Sequence, residues 1–310
     1  MLHKGTPLPS SRLTDSSIAS PNCISPPLSS CSSRLWRPAA QRNIKNQWSK
    51  LLMSKDRWVS ATLEGRLHTT ELVNTYLKRR YLPEMNLGVL TEIPGIREKA
   101  YDKLVHKQDL CRHKLISSYK NMVAAVNDLG KASCSMRCYL KGSSSDPIIQ
   151  YCDHQEDPSD SGDGGGIPVF CCLSISIMED LARELVNMFE RELSLKRFLV
   201  IGLLSINGVE DGRKDVLDWS NELYLGEFDD LRCIGMLKQD SFYTVFPQIK
   251  DYESSNPVNR TTIKSPNHNT LEVYLATWIS DLNINMHRVK EIFSVVEEEM
   301  QAKLSKVLCI

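Results

Sequence analysis

Between residues 101 and 139, Tyr101, Leu104, Gln108, Cys111, Leu115, Ser118, Met122, Ala125, Leu129, Ala132, Met136 and Tyr139 recur at steps that alternate between four and three. On an α-helix this spacing puts every one of them on a single stripe. A strand would show a period of two, so the strand signal here is weak. An apolar seam this long has to be covered by other helices, and that requirement constrains the fold more than any other feature. Gln108 and Ser118 interrupt the seam with polar groups, which can set register or partner choice. Gly130 weakens the helix locally.

Two further segments carry helical periodicity. Upstream, Ile44, Trp48, Leu51, Leu52, Trp58, Val59, Leu63, Leu67, Val73 and Leu77 repeat at three- and four-residue steps. They predict a long helix that ends before Pro83. The cations Lys78, Arg79 and Arg80 in its last turn complement the helix dipole. Downstream, Ser176 with Glu179 has the form of a capping box. Met178, Leu181, Leu185, Met188, Leu195 and Leu199 then line one face, widened by Phe189, Leu193 and Phe198. Near the end of the chain, Leu271, Tyr274, Leu275, Trp278, Ile279 and Leu282 predict a short amphipathic helix. Asn285 predicts the N-cap of another, with Val289, Ile292, Phe293, Val296, Met300 and Leu304 on its face.

The fold class expected is therefore all-α: a long antiparallel helical bundle or coiled coil. Residues 1–46 read as a disordered Ser/Pro-rich tail, 47–140 as two long helices and 141–170 as an acidic flexible loop. Residues 171–208 read as a third long helix, 209–270 as an irregular insertion and 271–310 as C-terminal helices. The stretch 242–249 alternates weakly but contains Pro247. The tail has six prolines, basic residues at Lys4, Arg12, Arg34, Arg37, Arg42 and Lys45, and Asp15 as its one acid. That composition suits a disordered segment, and it also suits a plastid or mitochondrial transit peptide.

Charge and cysteine content narrow the function classes. Lys+Arg and Asp+Glu are equal at 38 each, which gives no global attraction to nucleic acid or anionic lipid. No run approaches the roughly 20 apolar residues that a membrane span needs. Ten cysteines in 310 residues are too sparse for a small disulfide scaffold, and a reducing compartment is the simpler expectation. HExxH, Gly-x-Ser-x-Gly and dinucleotide-binding patterns are missing, and Gly162–Gly166 lacks the Gly-Lys-Ser/Thr of a phosphate loop. Cys134, Cys138, Cys152 and His154 stand at poor spacing for zinc, so no metal is expected. His106 and His113 read as a solvated face, Glu297, Glu298 and Glu299 as the solvent side of the last helix, and Cys171 and Cys172 as apolar filler. No cofactor and no catalytic residue follow from the sequence. A cysteine-dependent enzyme acting through Cys111 would need a partner histidine that no motif supplies.

Three segments resemble the cyclin-dependent-kinase-interacting protein family. NQWSKLL at 46–52, with a second tryptophan at Trp58, is similar to that family's opening helix. LVNMFERELSLKR at 185–197 resembles its most distinctive run. VYLATWI at 273–279 looks like its Tyr-Leu…Trp segment. A fourth segment, IPGIREK at 93–99 continuing to Lys107 and Gln108, resembles a small ribosome-maturation factor that acts with that family. The resemblance implies a nuclear, non-catalytic adaptor of an AAA-type ATPase in ribosome biogenesis, DNA replication or cell-cycle control. The implied partners are that ATPase, a second small helical subunit and a cyclin-dependent kinase, with no direct nucleic-acid or membrane contact. The alternative is a structural coiled-coil protein of a kinetochore or cytoskeletal assembly. Because Trp, Tyr and Arg dominate interface hot spots, Trp48, Trp58, Lys196, Arg197, Tyr274 and Trp278 are the partner-binding candidates.

Overall fold

A computed structural model of the chain describes residues 30–142, 150–206, 217, 219–237 and 267–304, with side chains from residue 35 onward. Among these residues six α-helices form: α1 Ser30–Tyr81, α2 Ile96–Cys134, α3 Ile175–Leu204, α4 Glu227–Cys233, α5 His268–Ser280 and α6 Met286–Met300. One small antiparallel ladder joins β1 Tyr139–Lys141 to β2 Gln150–Cys152, with Tyr139 opposite Cys152. The expected all-α class holds.

Cross-helix partners fix the topology. α1 and α2 are antiparallel neighbours: Arg57 pairs with Asp128, Lys107 with Glu71, and Arg79 lies over the ring of Tyr101. α3 runs antiparallel to α2, because Arg137, just past the end of α2, meets Glu179 near the start of α3, and Gln108 reaches the carbonyl of Ile206 just past its end. α5 and α6 lie end to end and fill the fourth position. Trp278 of α5 reaches the Thr62 carbonyl on α1, Phe293 of α6 packs edge-on against Trp48, and Arg288 pairs with Glu184 on α3. The result is an up-down-up-down bundle whose fourth member is broken in two. Across its interior Trp58 and Phe189 meet edge to face at 5.4 Å.

The seam behaves as its period demands. Gln108, Cys111, Leu115, Ser118, Met122, Ala125, Leu129, Ala132 and Met136 are all buried, although the helix itself stops at Cys134. The chain's own helices cover these positions. Gln108 donates to the Ile206 carbonyl, and Ser118 back-bonds to the Lys114 carbonyl one turn earlier.

Four expectations need correction. The first helix begins at Ser30, so residues 30–46 are helical where a disordered tail was expected; residues 1–29 lie outside the described part. Steps of four from Trp36 through Ala40 and Ile44 extend the Trp48 stripe backward, and all three are buried. Trp36 donates to the Cys138 carbonyl at 3.0 Å, and Asn43 donates to the carbonyls of Ser135, Met136 and Arg137, which close the end of α2. Pro38 is tolerated on the solvent side.

The second correction concerns the later half of α1. Val59, Leu63 and Leu67 face solvent, while Ala61, Thr62, Gly65, Thr69, Leu72 and Tyr76 face inward. Here α5 approaches so closely that a Cβ on Gly65 would lie 2.5 Å from the Trp278 ring. A small inner face is required, and the leucines are turned outward.

Third, α3 starts at Ile175 after Ser174 with no side-chain cap, and Glu179 is engaged by Arg137 rather than closing a capping box with Ser176. Fourth, residues 150–170 are pinned to the bundle, where a flexible loop was expected. Arg37 and Gln41 donate to the Pro168 and Val169 carbonyls, and Arg137 donates to the Ser161 carbonyl. Trp36 packs so tightly on Gly164 that no side chain could replace its hydrogen. The stretch 242–249 and most of the 209–270 insertion lie outside the described residues. The described part of that insertion contains the short helix α4.

Candidate interaction surface

Five of the six residues expected to bind a partner lie inside the bundle. Trp48, Trp58, Trp278, Lys196 and Arg197 are at most 1% exposed, and Tyr274 is half-buried against Gly202. Their large contact area is used within the chain.

Lys196 and Glu192 are one turn apart on α3 and repair the break between α5 and α6. The Lys196 ammonium donates to the Trp278 carbonyl in the last turn of α5 at 2.5 Å. It also pairs with Glu192 and Asp281, each at 2.9 Å. A cation at a helix C-terminus is favoured by the helix dipole and satisfies a carbonyl left open there. Glu192 completes the repair by accepting from the backbone N–H of Asn283 at 2.9 Å and from its side chain. The chain turns at Asp281, which adopts a left-handed conformation, and α6 restarts behind Asn285. As the sequence predicts, the Asn285 side chain caps α6, accepting from the N–H groups of His287 and Arg288.

Arg197 points the other way. Its guanidinium pairs with Glu227 at 2.8 Å, donates to the Trp219 and Asn221 carbonyls, and stacks on the Trp219 ring. Glu227 also accepts from the Tyr119 hydroxyl at 2.7 Å and from the Leu223 N–H. This network, in which Arg197, Glu227 and Tyr119 are fully buried, fastens residues 219–233 to α2 and α3. Burial, followed by the nearby Glu227 charge, pushes the Tyr119 phenol well above its ordinary pKa and keeps it a donor. Glu299 is also buried, contrary to the expected solvated acidic run. One of its oxygens accepts from the N–H groups of Cys171, Cys172 and Leu173, fixing the entry into α3.

Among the exposed apolar side chains of the described residues, one row lies on α1 and lines a groove. Leu63 and Leu67 are 55% and 68% exposed, one turn apart, and Val59 extends the row by another turn. The two leucines form the wall of a groove of about 650 Å³, lined also by Arg66, Thr70, Glu71, Asn74, Thr75, Lys78 and, from α2, Lys107. Lys107 bridges to Glu71 at 2.8 Å and holds that carboxyl below the usual carboxylate range. With Glu71 neutralised by Lys107, Arg66 and Lys78 leave the rim cationic. Farther along, Tyr81, Met85, Val89, Leu90 and Ile93 of the α1–α2 connector are also exposed. Arg97 holds that connector by donating to the carbonyls of Leu82, Pro83 and Met85.

Period alone assigns Leu63 and Leu67 to the core, so sequence reasoning misses this groove. The available signal is the run of small residues Ala61, Thr62, Gly65 and Thr69, which marks the opposite face as the tightly packed one. Other chemistry is sparse. Cys111 is buried, and burial followed by the Glu71 charge raises its thiol pKa, which disfavours a nucleophilic thiolate. His106 and His113 are exposed on α2. No helix among the described residues is long and apolar enough to cross a membrane. No protein-family model, curated protein or solved structure matches this chain.

Proposed function

We propose that this protein is a non-catalytic helical adaptor that receives an amphipathic helix from a partner protein in the α1 groove. The observation that carries the reading is the exposed pair Leu63 and Leu67 beside a cationic rim. Helix-in-groove recognition uses apolar anchors one turn apart, and the rim selects charge. The partner helix therefore carries apolar residues at i and i+4 flanked by Asp or Glu. A filament-forming role through 101–139 has less support, because the seam from Gln108 to Met136 lies inside the bundle.

The resemblance of 46–52, 185–197 and 273–279 supplies the biological setting proposed for the groove: a nuclear assembly built on an AAA-type ATPase with a second small helical subunit. The test is affinity purification of the full chain from its own cells, beside a Leu63→Glu/Leu67→Glu variant. The wild type is expected to recover the ATPase and the small subunit, and the variant to lose at least one while keeping its melting temperature. Equal recovery by both chains would remove the groove from the proposal, and recovery of filament or kinetochore components would replace the setting.

A further inference from the structure

Outside the groove, the turn after β2 gathers three different ligand types. The Cys152 thiol, the His154 ring and the Glu156 carboxylate bring ligand atoms within 4.8 Å of one another. β2 ends at Cys152 and the backbone bends at Asp153, His154 and Glu156, which brings the three side chains together.

The surroundings are arranged as those of metal ligands are. His154 Nδ1 lies 3.4 Å from Asp153 Oδ1, and Nε2 lies 3.5 Å from Glu156 Oε1. A carboxylate on one imidazole nitrogen fixes the tautomer and leaves the other nitrogen to bind metal. Glu156 is oriented in turn, since its other oxygen accepts from the Gly142 N–H at 2.8 Å. In a tetrahedral site with metal–nitrogen and metal–oxygen bonds of about 2.0–2.1 Å, neighbouring N and O ligands sit roughly 3.3 Å apart, close to the His154–Glu156 separation. The Cys152 Sγ donates to the His154 carbonyl at 3.1 Å and lies within 4.8 Å of the other two ligand atoms. The turn itself is braced, with Gln155 donating to the Asp160 carbonyl and Asp160 accepting from the Leu140 N–H on β1.

We propose that Cys152, His154 and Glu156 form a binding site for one zinc-class divalent ion, with a fourth position open to water. A thiolate, an imidazole and a carboxylate together suit a borderline ion such as Zn(II), whereas Mg(II) and Ca(II) prefer all-oxygen sets. On binding, the Cys152 thiol proton passes to solvent, the Sγ–metal bond forms, and the hydrogen bond to the His154 carbonyl is released. The ion would clip the turn onto the β1–β2 ladder without touching the groove.

The experiment titrates metal-free full-length chain with Co(II) under reducing conditions. One equivalent is expected to give a thiolate-to-cobalt absorption band with tetrahedral visible bands, both removed by Zn(II). Cys152→Ser should abolish the near-ultraviolet band, and His154→Ala should weaken binding at least tenfold. Asp153→Asn, which only positions the ring, should weaken it on the order of 10-fold. These side chains are at or near the surface, so the helical circular-dichroism signal should not change. If Cys152→Ser did not fold, His154→Ala, whose ring is 69% exposed, would carry the test. Absence of a thiolate band in the wild type would overturn the site, as would a band that survives Cys152→Ser or is unaffected by His154→Ala.

Discussion

Lys196 and Arg197 are adjacent in sequence, but a helix turns about 100° per residue and sends them to different neighbours. One closes the α5–α6 break and the other anchors α4. Removing one member of a buried ion pair leaves the other charged and without compensation, a loss of about 3–5 kcal/mol. Lys196→Met is therefore expected to lower stability by about that amount in denaturant titration, and Lys196→Met/Glu192→Met to recover only part of it, because the Trp278 carbonyl, Asp281 and the Asn283 N–H then lose their partners. A double variant as unstable as the sum of the two singles would contradict the coupling. Glu190 on the same helix has a different environment. Burial pushes its carboxyl up to about 7 in the folded chain, with Arg191 offsetting only part of the shift. Between the unfolded value near 4.5 and about 7, the folded state binds more protons, so this residue makes stability fall as pH rises through that window. Glu190→Gln should flatten the fall and stabilise the chain above pH 7 by about 1–2 kcal/mol, after allowing for solvent screening at a half-buried site. Thermal melts at pH 5 and pH 8 would measure it, and an unchanged slope would argue against the burial effect.

At the scale of elements, the contact between α1 and α5 depends on a residue that has no side chain. Gly65 sits mid-helix, where Ala would ordinarily stabilise by about 0.5–1 kcal/mol. Because a Cβ there would lie 2.5 Å from the Trp278 ring, Gly65→Ala is expected to destabilise instead, by about 1–3 kcal/mol. A higher melting temperature for Gly65→Ala would mean that α5 packs less closely than described. Helices are legible in this sequence because their periodicity is local. The α2 seam and the Asn285 cap could each be read from a few consecutive residues. The orientation of α1 beyond Trp58 could not. Two apolar rows compete there, Val59–Leu63–Leu67 and Ala61–Thr62–Gly65–Thr69, and the choice is made by the bulk of a tryptophan more than two hundred residues away. Trp48, Trp58 and Trp278 were noticeable for a real reason, their large contact area, but that area serves core burial as readily as partner binding.

For the molecule as a whole, the N-terminal turns of α1 tie the bundle together. Trp36, Ala40 and Ile44 are buried, Asn43 closes the end of α2, and Arg37 and Gln41 hold the segment leading to α3. A chain beginning at residue 47 is expected to lose on the order of 5 kcal/mol relative to one beginning at residue 30, given the cost of emptying buried Trp and Ile sites. Comparing the two by chemical denaturation checks this, and equal stabilities would restore the reading of residues 30–46 as a tail.

The sequence by itself determined the helical class, the course of α2 and α3 and the cap of α6, because each follows from the period or chemistry of neighbouring residues. Tertiary structure decided which polar and aromatic residues were consumed in the interior and which leucines were left outside. Burial is a property of what packs against a side chain. For Lys196, Arg197, Leu63 and Leu67 that neighbour, or its absence, is set by segments distant in sequence, which no local pattern encodes.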